Sequence, residues 1–155
     1  MRPIDEIIVH CTATRPGWME GRTTEAKVAE VRRWHREERG WRDIGYHYLI
    51  DRNGYIVAGR ALDQAGAHTV GRNANSIGVA LIGGHGAAAT DKFENHFTPE
   101  QDKALRGLIE DLRRRFDAKV SGHNDYAAKG CPGFNVRLWH GERLSWWQRL
   151  VGAKK

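Results

Sequence analysis

The spacing of apolar residues predicts three short buried strands along the chain. The first is Ile4 to His10, in which Ile7 to Val9 form a continuous apolar run. The second is Ser76 to Ile82, and a short strand near Ala118 to Ser121, which leads into Gly122-His123, is the third. Continuous apolar runs of this length are typical of strands that are covered on both faces of a sheet.

Two further β-rich segments predict a hairpin. Tyr46 to Asp51 and Tyr55 to Ala58 flank the dipeptide Asn53-Gly54, which is a strong signal for a tight turn. In a regular strand the side chains of Tyr46 and Tyr48 point to the same face. We therefore expect Tyr48 to be a core residue beside Tyr46.

A first helix is predicted from about Glu25 to Arg39. Thr23 or Thr24 supplies the N-cap, and Gly40 ends the helix. Its inner face is expected to carry Val28, Val31 and His35.

A second helix is predicted from Pro99 to Phe116, where Thr98 and Gln101 have the spacing of a capping box. A last helix is expected around Glu142 to Val151. The apolar stripe of the second helix consists of Leu105, Leu108, Ile109, Leu112 and Phe116.

Loops are predicted from Thr12 to Thr24 and from Gly83 to Phe97, because both segments are rich in turn residues. Strands and helices therefore interleave, which is typical of the α/β class. We expect a single domain over residues 1–155, with a central mixed β-sheet of about five strands flanked by helices. No separate cell-wall-binding domain is expected.

Composition limits the compartment and the partners. The first ten residues lack the apolar segment of a signal peptide, and no apolar run is long enough to span a bilayer. We therefore expect synthesis in the cytoplasm and no membrane insertion. The formal net charge of +6 leaves nucleic acid, anionic lipid and anionic cell wall open as partners. The two cysteines are too few for a disulfide framework, so they are free thiols or metal ligands.

His123 and Cys131 are the strongest candidates for metal ligands. They lie in the glycine-punctuated segment GHNDYAAKGCPG at residues 122–133. Imidazole nitrogen and thiolate sulfur are zinc ligands, and a loop of this length can bring both onto one ion. His10, at the end of the first strand, is the candidate for a third ligand. Strand alternation places Cys11 on the opposite face, as a buried thiol.

Lys129 is a candidate for a fixed positive charge at the same site. If the chain before Pro132 is extended, Lys129 and Cys131 project to the same side. Four other histidines are expected to be surface or hydrogen-bonded residues, namely His35, His85, His96 and His140.

Taken in order, a series of motifs resembles the type 2 N-acetylmuramoyl-L-alanine amidases, a superfamily that includes phage lysozymes and animal peptidoglycan recognition proteins. The resemblance runs from Val9 to about Phe134. The motifs are VHCTAT at 9–14, IGYHYLIDRNG at 44–54, GR at 59–60, GAHTVGRN at 66–73, SIGVALIGG at 76–84, FTPEQ at 97–101 and GH…KGCPGF at 122–134.

The resemblance implies a role for particular residues. His10, His123 and Cys131 match the three zinc ligands of the family, which bind one Zn²⁺ per chain in a groove on one side of the sheet. Tyr46 matches the tyrosine near the zinc-bound water, and Lys129 matches the lysine that contacts the scissile carbonyl.

His68 and Asn73 match positions along the family's substrate groove. Cys131 and Ala80 favour the phage-lysozyme branch over cytoplasmic recycling amidases, which have an aspartate and a glutamate at these positions. Asn124 is a departure, because many relatives have a charged residue there, and it lies beside a predicted ligand.

The implied reaction is hydrolysis of the amide bond between N-acetylmuramic acid and L-alanine in peptidoglycan. The implied role is that of a phage or prophage endolysin, which lyses the host after release across the inner membrane. The positive charge is expected to favour the anionic envelope. A monomer is the simplest expectation, and no nucleic acid is required.

Three other functions agree less well with the sequence. The first is a peptidoglycan-binding module without catalysis, and the presence of Cys131, Tyr46 and Lys129 argues against it. A basic zinc protein that binds nucleic acid would need paired ligands at finger spacing, and the sequence has none. A glycosidase needs two placed carboxylates, and nothing in the sequence pairs the available ones, Glu20, Glu25 and Asp43.

Overall fold

The computed structural model describes residues 1–141 and contains one five-stranded mixed sheet. The strands are β1 (Glu6–Cys11), β2 (Tyr48–Ile50), β3 (Ile56–Ala58), β4 (Ser76–Leu81) and β5 (Lys119–Gly122). Their order across the sheet is β3-β2-β4-β1-β5. The pairs β2–β4, β4–β1 and β1–β5 are parallel, and β3 is an antiparallel edge strand. The predicted α/β fold with a mixed sheet of about five strands is therefore confirmed.

Three α-helices lie wholly within the described residues: α1 (Thr24–Arg33), α2 (Phe93–His96) and α3 (Pro99–Arg115). The N-cap of α1 is Thr23, whose hydroxyl accepts from the amide of Ala26, and α3 begins with the predicted capping box. A π-helical turn over Trp34–Glu38 continues α1, so the helix predicted to Arg39 is present with a wider last turn. Residues 136–141 are also helical. The helix predicted around Glu142 to Val151 lies outside the described residues.

The sheet separates two apolar clusters. On one face, alternate residues of β1 pack with α3 in a cluster that includes Ile7, Val9, Cys11, Leu105 and Ile109. On the other face, Val28 and Val31 of α1 pack in a second cluster with Ile44, Leu49 and Ala80. Because His10 alternates with Val9 and Cys11, its side chain lies on the α1 face.

A buried ion pair fastens α1 to the hairpin. The ammonium group of Lys27 lies 3.0 Å from the carboxylate of Asp51, and the hydroxyl of Thr24 donates to the same carboxylate at 2.6 Å. Desolvation alone would destabilise the Asp51 carboxylate, but these donors lower its pKa. The pair fixes the first turn of α1 against the end of β2.

The prediction that Tyr46 and Tyr48 share a face is wrong. Tyr46 packs with the α1 cluster, whereas Tyr48 packs with the α3 cluster. The regular strand begins only at Tyr48, so simple alternation does not extend back to Tyr46. This irregular segment places Tyr46 on the same face of the sheet as His10.

No helix among residues 1–141 is long and apolar enough to cross a membrane.

Candidate active site

The candidate site lies at the carboxyl ends of two neighbouring parallel strands. His10 is near the end of β1, and His123 directly follows Gly122, the last residue of β5. Because β1 and β5 are parallel and adjacent, both residues reach the same edge of the sheet. The carboxyl edge of a parallel sheet is the usual position for a ligand site in α/β proteins.

Cys131 joins these two histidines, and the three side chains could hold a metal ion. One ligand atom from each of His10, His123 and Cys131 lies within 4.8 Å of the other two. The Sγ atom of Cys131 is 3.9 Å from Nδ1 of His10, and the rings of His10 and His123 have centroids 4.6 Å apart. Two imidazoles and one thiolate form a donor set that suits zinc and leaves a fourth coordination position open.

The Cys131 sulfur is oriented by the backbone of β1. The amide of Cys11 donates a hydrogen bond to Sγ of Cys131 at 3.2 Å. Hydrogen bonding with the Cys11 thiol, together with burial, raises the pKa of Cys131 in the metal-free protein. The Cys11 side chain is buried with the α3 cluster. The sequence prediction of a buried thiol on the face opposite His10 is therefore confirmed.

His10 is buried, and its two ring nitrogens have different surroundings. Nδ1 faces Cys131, whereas Nε2 lies 2.8 Å from Nδ1 of His68 and 3.2 Å from the hydroxyl of Thr69. Burial, followed by the charges of His68 and His123, lowers the pKa of His10 well below its usual value. His10 is therefore a neutral imidazole near pH 7, as a metal ligand must be.

His68 contacts the His10 ring, and Asn73 binds the backbone of His68. Burial first, and then the charges of neighbouring histidines and arginines, lower the pKa of His68 to about 3. The side-chain oxygen of Asn73 accepts from the amides of His68 and Thr69, at 2.9 Å each. The contact with substrate that the resemblance implies for both residues stays a prediction.

Lys129 is exposed and adds positive charge beside the histidines. Its charge contributes, after burial, to the lowered pKa of His123, and it also acts on His10. The expectation of an extended chain before Pro132 is wrong, because the Lys129 amide donates to the carbonyl of Ala127 at 2.9 Å. Lys129 therefore lies in a bent loop and not in a strand.

Tyr46 lies at the boundary between the candidate metal site and a small cavity. Its ring centroid is 5.3 Å from that of His10 and 5.4 Å from that of His35. Burial raises its pKa, so its phenol stays protonated and can donate a hydrogen bond. The cavity has a volume of about 200 Å³ and is lined by Thr12, Val31, Trp34, His35, Glu38, Arg39 and Tyr46.

The loop that carries His123 and Cys131 is held by polar contacts that the sequence did not reveal. The side chain of Asn124 donates to the carbonyl of Phe134 at 3.0 Å and so connects the two ends of the loop. Buried Glu6 accepts hydrogen bonds from the hydroxyls of Ser121 and Tyr126. An acidic residue within the first predicted strand, directly before its apolar run, was the available signal, because a buried carboxylate needs partners.

Two of the other histidines have hydrogen-bonded structural positions, as expected for such residues. Nδ1 of His35 accepts from the amide of Gly45 at 2.9 Å. His96 contacts the carboxylate of Asp91 at 2.8 Å.

Asp43 was one of the carboxylates available to a glycosidase. Its side-chain oxygen accepts hydrogen bonds from Arg32 and from the amide of Ile44, so it does not form the pair of carboxylates that a glycosidase needs.

The known sequences that resemble this chain include phage endolysins and an animal amidase. The endolysin of Klebsiella phage KP32 is 42% identical over 135 residues, covering 86% of this chain and 83% of that protein. The endolysin of Escherichia phage T7 is 42% identical over 136 residues, covering 87% and 84%. A human N-acetylmuramoyl-L-alanine amidase is 30% identical over 132 residues, which are 84% of this chain but only 23% of the human protein.

Solved structures share the fold. The chain resembles the N-acetylmuramoyl-L-alanine amidase LysC from Clostridium intestinale with a TM-score of 0.67 and 28% identity, covering 86% of this chain and 79% of that one. The bumblebee peptidoglycan recognition protein PGRP-SA matches with a TM-score of 0.69 and 28% identity, covering 86% and 77%. The family model described as N-acetylmuramoyl-L-alanine amidase matches residues 1–134, and the chain belongs to this family.

Proposed function

We propose that this amidase uses one Zn²⁺ ion, held by His10, His123 and Cys131, to hydrolyse the bond between N-acetylmuramic acid and L-alanine in peptidoglycan. The convergence of the three ligand atoms within 4.8 Å carries the proposal. A bound zinc ion supplies the Lewis acid that hydrolysis of a poorly electrophilic amide requires.

The side chains around the site divide the remaining work. Lys129 contributes positive charge where the carbonyl oxygen of the scissile amide becomes negative, and such a contact is often worth ~3 kcal/mol in the transition state. The neutral phenol of Tyr46 orients the attacking water and passes a proton toward the leaving amine. Within residues 1–141 its hydroxyl makes no hydrogen bond, so its donor is available to a ligand.

The cavity beside Tyr46 gives the substrate a place next to the reacting bond. It contains the aromatic wall of Trp34 and the charged groups of Glu38 and Arg39. A stem peptide carries both amino and carboxylate groups, so a cavity with both charges suits it.

We also propose that the chain acts on the cell wall as an endolysin and works as a monomer with no nucleic acid partner. The relatives from Klebsiella phage KP32 and Escherichia phage T7 support the endolysin role. The monomer is supported by the origin of the ligands, because all three come from one chain. The net charge of +6 favours approach to an anionic wall.

The test is to incubate the purified protein with Gram-negative peptidoglycan, with and without a chelator. New α-amino groups without new reducing sugar ends are expected, with loss on chelation and recovery after zinc is added. New reducing ends would indicate a glycosidase and contradict the proposal. A protein that sediments with the wall but forms no product would be a binding module.

A further inference from the structure

A chain of hydrogen bonds leads away from the candidate metal site into the protein. Nε2 of His10 is 2.8 Å from Nδ1 of His68, and Nε2 of His68 is 3.2 Å from the hydroxyl of Ser76. The Ser76 hydroxyl in turn lies 2.8 Å from the carbonyl oxygen of Arg72. All three side chains are buried.

The last acceptor fixes the direction of every bond in this chain. A backbone carbonyl can only accept, so the Ser76 hydroxyl donates its proton to Arg72. Ser76 then accepts from Nε2–H of His68, which leaves Nδ1 of His68 without a proton. That nitrogen accepts from Nε2–H of His10, and the lone pair of His10 is thereby left on Nδ1, the nitrogen that faces Cys131.

We propose that His68 is a positioning residue that fixes the tautomer and ring orientation of His10 before a metal ion binds. The inference rests on the proposed metal site and deepens it. Histidine ligands of metals usually donate their second N–H to a partner that orients the ring. Here the partner is the neutral imidazole of His68. It orients the His10 ring without adding a negative charge to that of the Cys131 thiolate.

The surroundings of His68 hold its ring in place. A Cβ atom on Gly78 would lie 2.6 Å from Cγ of His68, so the absence of a side chain in β4 makes room for this ring. The two hydrogen bonds from Asn73 fix the backbone of His68 and Thr69. The Thr69 hydroxyl reinforces the same direction, because it can accept from the same N–H of His10.

Four proteins test the role: the wild type, His68→Ala, His68→Asn and His85→Ala. In His68→Asn the amide oxygen occupies the position of Nδ1 and still accepts from His10. His85 is an exposed histidine and controls for the loss of an imidazole elsewhere. Zinc affinity is measured by competition with a chromophoric chelator, and far-UV circular dichroism of the metal-free proteins checks folding.

His68→Ala is expected to weaken zinc binding by about 10- to 100-fold, as for other partners that orient a ligand. His68→Asn is expected to recover most of that loss, and His85→Ala is expected to bind like the wild type. Equal affinity in wild type and His68→Ala would overturn the positioning role. Failure of the wild type to bind zinc would instead overturn the proposed metal site.

A measurement on the metal-free wild type does not depend on whether a variant folds. Long-range ¹H–¹⁵N correlation spectra near neutral pH report which ring nitrogen carries the proton. The expected result is a proton on Nε2 of both His10 and His68. A proton on Nδ1 of His10 would contradict the proposal, since the metal-facing nitrogen would then lack a free lone pair.

Discussion

The amide of Gly45 donates a hydrogen bond to Nδ1 of His35 over 2.9 Å, and this bond joins the π-helical turn after α1 to the residue directly before Tyr46. His35 must be neutral to accept it. The position of Tyr46 at the candidate active site therefore depends in part on the protonation state of a histidine in the helical layer.

Buried neutral histidines should make stability depend on pH. Burial, followed by the charges of Arg39 and Arg60, lowers the pKa of His35 to about 4. Burial also lowers the pKa of His47 to about 4, and its Nδ1 accepts from the amide of Gly78. Between their usual pKa of about 6.5 and these lowered values, the unfolded chain binds more protons than the folded one.

The contribution of these two histidines to the free energy of unfolding should therefore be complete above about pH 6.5. The free energy of unfolding should fall as the pH drops toward about 4. The slope approaches ~1.4 kcal/mol per pH unit for each histidine. Urea unfolding of the chelator-treated protein across this range measures it. The variant His35→Asn keeps an acceptor for Gly45 but does not titrate, so its slope should be shallower. An unchanged slope would disprove the assignment to His35.

Cys131→Ser and Cys11→Ala form a matched pair of cysteine variants. The first should lose most zinc binding and at least about 100-fold in activity, because the thiolate ligand is gone. The second should keep zinc, because Cys11 is not one of the three candidate ligands, although it loses apolar packing and some stability. Metal content after dialysis and amide hydrolysis are the readouts. If Cys11→Ala lost zinc and Cys131→Ser kept it, Cys11 and not Cys131 would be the ligand.

Lys129→Met should reduce turnover by about 100- to 1000-fold while zinc content stays the same, because the residue acts on charge that develops in the transition state. Lys103→Met is the control, since Lys103 is an exposed residue of α3, the helix on the other face of the sheet. Steady-state kinetics on soluble peptidoglycan fragments separate turnover from binding. If only the KM rises, Lys129 binds the substrate without stabilising the transition state.

Tyr46→Phe removes only a hydroxyl and should lower turnover by about 100-fold or more, as expected for loss of a proton-transfer group. Tyr48→Phe is its control, because Tyr48 packs on the opposite face of the sheet. Equal activity of the two variants would indicate that the Tyr46 hydroxyl takes no part in the reaction.

Local patterns in the sequence predicted the elements well, because caps and apolar runs act over a few residues. The capping box at Thr98 and the buried run of β1 are both present. Patterns failed where the backbone is irregular. Tyr46 precedes the regular strand, so strand alternation placed it on the wrong face of the sheet. Lys129 lies in a bent loop, so the expectation of an extended backbone was wrong there.

The sequence by itself determined the α/β class, the family resemblance and the identity of the candidate ligands, because these depend on residue type and order. Only the tertiary structure decided what lies behind those ligands. His10 and His68 are 58 positions apart in the chain but 2.8 Å apart in space. Their contact arises from the packing of a loop against β1 and β4, and no local pattern encodes a hydrogen bond between such distant segments.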